Sequence, residues 1–430
     1  MDSNPWYNDF LQERNGTLAA FLPLPGKTGP AVHLHWKRLP SPLMTNESPT
    51  AGCTDSHLPQ GALAPSSPCK GSLRRFRFNL PQRIAAGLLL CLLVQGVWAI
   101  AHSRALPGSG VAGDAASGSL QKGVLAYQLA GIAGALAPQA VATWAQRLPF
   151  LAAACLLGGA LWWVTRRQFG NLGGYTALAL YCFSPAIIQA AVTPAAEILA
   201  ALGVYAGIYT AIGVAHAMQG PRRKWKPRLV LLALALGLAA AAQPAALLVT
   251  LLLGFGFMRW IAEGRRALLL PLLLLTTAGA LVLLFASCGF SSQMLLLHLS
   301  TLASPSGLGL ERLAGLLGFG HAGLGIAAVV GLALYATQRR SRFFGNTVPL
   351  VAVGVLVLLA ETGTVAGALL WSLPFLFTFI AGTFADAYEG TRPRLALVAG
   401  GAIVLLQAAI CIVSLPGILE SAARQIQLPF

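Results

Sequence analysis

The sequence predicts an all-α polytopic membrane protein of about eleven transmembrane helices, with a cytoplasmic N-terminus. Three observations predict it. First, 56% of the 430 residues are apolar and only 10% are charged, whereas an ordinary soluble domain carries about 25% charge. So few charges cannot clothe a soluble surface of this size. Second, from Arg83 onward the chain is built of apolar runs near the roughly 20 residues that cross a bilayer. Third, the formal charge of +16, from 29 basic and 13 acidic residues, falls mainly in the connections of one side.

The elements follow in order. Residues 1–82 are rich in Pro, Ser, Gly and Asn, lack sustained periodicity, and read as a disordered cytoplasmic tail. The apolar stretch from Leu18 to Pro25 is too short and proline-broken for a signal peptide. Residues 83–430 form the membrane domain. Spans are expected near 84–102, 149–165, 172–191, 196–217, 229–242, 244–258, 267–287, 321–337, 347–361, 365–384 and 395–415. The run from Leu229 to Phe257 is too long for one ordinary span and short for two. Gln243-Pro244 divides it, because proline removes a backbone donor there. Arg222, Arg223, Lys224, Lys226 and Arg228 precede this run, and Arg259, Arg265 and Arg266 follow it. Both ends are therefore expected inside, which makes the run a hairpin of two short helices, with a re-entrant pair as the alternative.

The charges test this arrangement. From Arg83 onward, sixteen Lys and Arg fall on the assigned inner side. Five fall outside: Arg104, Lys122, Arg147, Arg312 and Arg424. The basic balance is thus a topology signal, and nucleic-acid binding is set aside. Two outer loops are long, near 103–146 and 288–320. Within them Leu120 to Ala135 reads as a weakly amphipathic surface stretch, and Leu308 to Leu317 as a short helix. Gly417 to Gln427 reads as an interfacial C-terminal segment. Cys91, Cys155, Cys182 and Cys411 lie in apolar runs as small hydrophobes. No Cys or His spacing suggests a metal, and His102, His298 and His321 read as interfacial.

Ionisable groups at the membrane edge are costly and mark candidate function. Asp114 lies in Gly113-Asp114-Ala115, either a solvated loop acid or part of a site. Glu197 opens a span after Thr193-Pro194. It reads either as an acid favoured by the helix dipole or as a carboxylate facing an outer cavity. Arg147 precedes Leu148-Pro149 and reads either as a snorkelling anchor or as a phosphate or carboxylate clamp. Gln243, at the hairpin tip, reads as an amide satisfying backbone groups freed by Pro244. Glu361 reads as the cap of a tight outer turn. The inner acids Glu263, Asp386 and Glu389 sit among arginines and read as loop-charge balance. No relay of Asp, Glu and His crosses the spans and no inverted repeat is visible, which argues against an ion-coupled transporter.

Residues 147–214 carry a resemblance. They read Arg147-Leu148-Pro149, an apolar span, Arg166-Arg167-Gln168-Phe169-Gly170, a second span, Ser184-Pro185, then Thr193-Pro194-Ala195-Ala196-Glu197 and a third span. This resembles the N-terminal half of the GT-C membrane glycosyltransferases, in the branch of protein O-mannosyltransferases and lipid A aminoarabinose transferases. Leu373-Pro374 looks like that family's late proline-containing span, and Gln243-Pro244 like its Lys-Gly/Pro turn. The resemblance implies a GT-C-like bundle that moves a sugar from a polyprenyl-phosphate carrier to an acceptor on the outer face. It implies Asp114 as the first-loop catalytic acid, Glu197 as the second acid, and Arg147 beside the cavity. A carboxylate would deprotonate or orient the acceptor hydroxyl, and basic groups would hold the departing lipid phosphate. The sequence departs from the family at three points. Asp114-Ala115 replaces an Asp-Glu pair, Gln243 replaces a lysine, and Leu370-Trp371 replaces an Arg-Tyr pair. Arg104, Lys122 or Arg312 would then have to supply the missing positive charge. The donor is a lipid-linked sugar. No other cofactor is implied, and a divalent metal has no supporting motif. Two further readings stand beside this one: a degenerate relative that binds the lipid carrier or acts as a scaffold, and a lipid transporter. Richness in Ala, Leu and Gly suggests a bacterial inner membrane.

Overall fold

The computed structural model describes residues 79–102, 124–219, 225–262, 265–303, 322–362, 365, 367–390 and 393–427. Residues 1–78 of the expected tail, the first-loop residues Arg104, Asp114 and Lys122, and the expected helix at 308–317 lie outside the described residues. Among the described residues the fold is all helical, with no strand. In chain order the helices are α1 (Leu80–His102), α2 (Val124–Leu136), α3 (Leu148–Cys182), α4 (Pro185–Val192), α5 (Ala196–Met218), α6 (Trp225–Ala242), α7 (Pro244–Ile261), α8 (Leu269–Ser287), α9 (Ser292–Ser300), α10 (Ala322–Thr337), α11 (Phe344–Glu361), α12 (Ala368–Tyr388) and α13 (Pro393–Gln427). Nine of them are long and apolar enough to cross a membrane. The chain is an integral membrane protein.

The residue types explain the boundaries. Proline stands at the start of α4 and α7, where its missing N–H costs nothing. The helix α3 is two antiparallel halves joined at Gly170, whose φ of 76° and ψ of −172° only glycine adopts freely. Tyr181 donates to the Ala154 carbonyl at 2.7 Å, although a straight helix would set them about 40 Å apart. The two spans expected at 149–165 and 172–191 are thus a hairpin turning on Phe169-Gly170.

The second of those spans is not continuous. It breaks at Phe183-Ser184, because Pro185 cannot donate and the residues before it turn extended. Carbonyls freed inside a membrane need other donors. Gln407 of α13 supplies one, its Nε2 reaching the Phe183 carbonyl at 3.0 Å while its Oε1 accepts from Leu324 N at 3.0 Å. Gln95 of α1 reaches the Cys182 carbonyl at 3.5 Å.

The Leu229–Phe257 run is a hairpin of two 18-residue helices, α6 and α7. A Cβ on Gly203 of α5 would come within 2.7 Å of the Ala239 backbone. Arg228 of α6 bonds the Gly213 carbonyl of α5. These contacts run α6 antiparallel to α5 along most of its length. Gly207 of α5 meets Thr250 of α7, and Gly254 of α7 meets Ala211 of α5, so α7 runs parallel to α5. The packing runs along most of the length of both helices. The small residues let backbones approach closely, as helices in lipid require.

At the centre stands α12, buried along nearly its whole length. It touches the second half of α3 through Tyr181 and Phe377, α5 through Tyr205 and Phe375, and α10 through Tyr335 and Phe379. The helices α8 and α13 expose apolar residues outward, including Leu274, Leu275, Leu405 and Val413, as lipid-facing surfaces do. The last helix runs through Pro416 to Gln427, so the segment read as interfacial is helical.

Candidate functional site

The helix directions sort the ionisable groups into two ends. One end is basic. There Arg265 bonds the Met218 carbonyl, Arg342 bonds the carbonyls of Tyr335 and Ala336, and Arg340 pairs with Glu389. These arginines cover helix C-termini, where the unpaired carbonyls concentrate partial negative charge. Glu389 balances charge, as the sequence suggests. Asp386 is 5% exposed and accepts from Asn346 Nδ2 at 2.8 Å.

The opposite end gathers the described candidates. Arg147 sits just before α3, with Phe150 N and Leu151 N bonded to its carbonyl at 3.2 and 3.3 Å. It is half-buried, and desolvation pushes its guanidinium down from the ordinary arginine value. Its neighbour Gln146 packs against Gly134 of α2, which folds that outer helix onto the start of α3.

Glu197 is held by a short local design. Thr193 Oγ1 donates to the Gln189 carbonyl at 2.8 Å, and Ala195 N to the Thr193 carbonyl at 2.8 Å, closing the turn around Pro194. The residue before α5, Ala195, offers no capping side chain. Glu197 in the first turn is half-buried beside an uncapped helix N-terminus, a favourable place for a carboxylate.

Gln243 joins α6 to α7 in extended conformation, with φ −150° and ψ 127°, and its side chain makes no capping bond. The task expected of it falls to another residue. Ala240 lies four residues before Pro244, so the helical donor for its carbonyl is missing. His298 of α9 fills that gap, with Nε2 2.9 Å from the Ala240 carbonyl oxygen. That bond makes Nε2 the protonated nitrogen. His298 is 1% exposed, and its Nδ1 has no partner among the described residues. The expectation of an interfacial His298 is therefore corrected: it is a buried clasp between α9 and α6. The signal was present in the Gln-Pro break, which announces an orphaned carbonyl but not its donor.

Two more buried groups stand where α11 gives way to α12. Glu361 Oε1 and Trp371 Nε1 are buried without a partner among the described residues. Trp371 is 0% exposed and precedes Pro374 inside α12. Glu361 ends α11, and most of the turn it was expected to cap, residues 363, 364 and 366, lies outside the described residues.

The structure thus brings Arg147, Glu197 and Gln243 to one end of the bundle. Asp114, Arg104 and Lys122 lie outside the described residues. Among the described residues no group of three His, Cys, Asp or Glu is arranged to hold a metal. A guanidinium and a carboxylate at helix starts can bind a phosphate and orient a hydroxyl. No family model matches the chain, and neither a curated protein nor a solved structure matches it.

Proposed function

We propose that this protein is a GT-C-type membrane glycosyltransferase of about eleven spans. In this reading it moves a sugar from a polyprenyl-phosphate carrier to an acceptor at its less basic, outer end. The observation that supports the reading most is the gathering of half-buried Arg147 and Glu197 at that end, each at the start of a helix. Arg147 takes the carrier phosphate. Glu197 acts as the acceptor's base or orients it, and Asp114 shares that work from the first loop. Leaving-group charge would be stabilised by groups already fixed in place.

A second reading has its own support. At the position where the resembled family carries an Arg-Tyr pair, Trp371 is fully buried among apolar groups. A relative that binds the carrier lipid without transferring its sugar fits that loss of charge.

Native mass spectrometry of the purified protein with added polyprenyl-phosphate sugar separates the two. The transferase reading expects a bound sugar-lipid that Arg147→Ala releases, and turnover that Glu197→Gln lowers about 10²-fold or more. Binding that is unchanged in Arg147→Ala and unaccompanied by turnover favours the second reading. No carrier binding at all defeats both.

A further inference from the structure

The helices α11 and α12 form an antiparallel hairpin whose connection is only residues 362–367. At the basic end Asn346 of α11 donates to Asp386 of α12 at 2.8 Å. That contact sets the register. Glu361 lies fifteen residues after Asn346, and Trp371 lies fifteen residues before Asp386. Each helix rises about 1.5 Å per residue, and fifteen residues make about four turns. Glu361 and Trp371 therefore stand at the same level, near the face that each helix turns to the other. That level is the less basic end, which also holds Arg147 and Glu197.

The two side chains are complementary there. Trp371 is fully buried, and the N–H edge of its indole leans on Gly367, the residue before α12. Its Nε1 lies 2.9 Å from where a Cβ on that glycine would stand. The N–H edge is thus beside the connection that begins after Glu361. Trp371 Nε1 and Glu361 Oε1 are both buried without a partner among the described residues. The indole nitrogen only donates, and a carboxylate oxygen accepts. A buried donor and a buried acceptor left unmade are costly and call for an explanation. A hydroxyl group answers both, donating to the carboxylate and accepting from the indole. A phosphate does not, because the carboxylate repels it. Glu361 is half-buried, so an entering group meets it first, with Trp371 behind.

We propose that Glu361 and Trp371 bind one hydroxyl of the sugar that the carrier brings, Glu361 Oε1 accepting from it and Trp371 Nε1 donating to it. This rests on the carrier binding proposed above and adds to it the part of the site that recognises the sugar. Arg147 holds the phosphate of any carrier. The Glu361–Trp371 pair disfavours a carrier without the hydroxyl, because its own polar atoms then stay unpaired.

The test keeps the full-length protein in a sugar-free detergent. It offers polyprenyl-phosphate mannose, polyprenyl-phosphate glucose and bare polyprenyl phosphate in turn, and native mass spectrometry measures what is retained. Wild type is expected to retain at least one sugar-bearing form several-fold better than the bare carrier. Glu361→Ala and Trp371→Phe should each abolish that preference and leave retention of the bare carrier unchanged. Arg147→Ala should instead release all three. Trp163→Phe, exposed at the opposite end, should change nothing. Glu361→Ala also serves if Trp371→Phe does not fold. A preference that survives Glu361→Ala or Trp371→Phe would overturn the subsite and leave the carrier reading standing. So would an equal loss of bare and sugar-bearing carrier in those variants, or the absence of any preference in wild type. No retention of any carrier by wild type would overturn both.

Discussion

At the scale of single residues, the chain answers the prolines at 185 and 244 with side chains from far away. Pro244 orphans the Ala240 carbonyl, and His298 takes it. Burial holds the His298 imidazole below its ordinary value of 6.5, opposed by the bond to that carbonyl. The sign follows. Above the unfolded value both states are neutral and the docking of α9 is at full strength. As pH falls through that value the unfolded state takes up a proton that the folded state resists, so stability drops. The described residues of α9 and of the half of α6 that holds Ala240 carry no other ionisable side chain. Protection of the amides in Ser292–Ser300, corrected for the intrinsic pH dependence of exchange, is therefore expected to fall from about pH 7 to about pH 5 in wild type and to stay level in His298→Gln. His298→Ala should cost about 1–3 kcal/mol by stranding a buried carbonyl. In Pro244→Ala, which restores the helical N–H, the same substitution should cost less. Thermal melts of the four proteins check this, and strict additivity would show that the carbonyl is not what His298 serves. The need for such a donor is legible in Gln243-Pro244. The donor is not, because it lies in another helix, and apolar periodicity says nothing about which polar residue turns inward.

At the scale of elements, legibility depended on whether the signal was local. Apolar run length located the helices, and Gln-Pro located the α6–α7 hairpin, because both are properties of neighbouring residues. The break before Pro185 was readable as Ser-Pro punctuation. Its repair by Gln407 joins residues 224 apart and depends on packing. Glycine makes the same distinction testable. Gly170 turns at positive φ with nothing within 4 Å of an added Cβ, so Gly170→Ala meets only backbone strain, about 1–3 kcal/mol. Gly159, in the first half of α3, also has open space but a helical backbone. Gly159→Ala should be neutral or stabilising by about 0.5–1 kcal/mol. Gly203→Ala, by contrast, drives a Cβ into the Ala239 backbone and should separate α5 from α6. Melting temperatures in one detergent rank the three. A Gly170→Ala protein as stable as wild type would mean that the α3 hairpin does not turn there.

At the scale of the whole molecule, the two ends differ in charge, and that difference predicts an orientation. Among the described guanidiniums of the basic end, Arg265 and Arg342 bind helix C-termini, Arg166 and Arg167 flank tryptophans, and Arg340 pairs with Glu389. Moving that end across a membrane would drag them through hydrocarbon, so the basic end is expected inside. The opposite end carries Arg147 and Glu197 and is expected to face out, where the proposed lipid-linked sugar would be consumed. Single cysteines in a cysteine-free background test this. Ser292, exposed on α9 beside the His298 clasp, belongs to the outer end. Thr337, exposed at the close of α10 before Arg339, belongs to the basic end. An impermeant maleimide on intact cells should label Ser292→Cys at once, and Thr337→Cys only after permeabilisation. The reverse pattern would invert the protein and move the proposed sugar chemistry to the inner face. Equal labelling from one side would mean that the crossings between the two positions are miscounted, since an odd number must separate them.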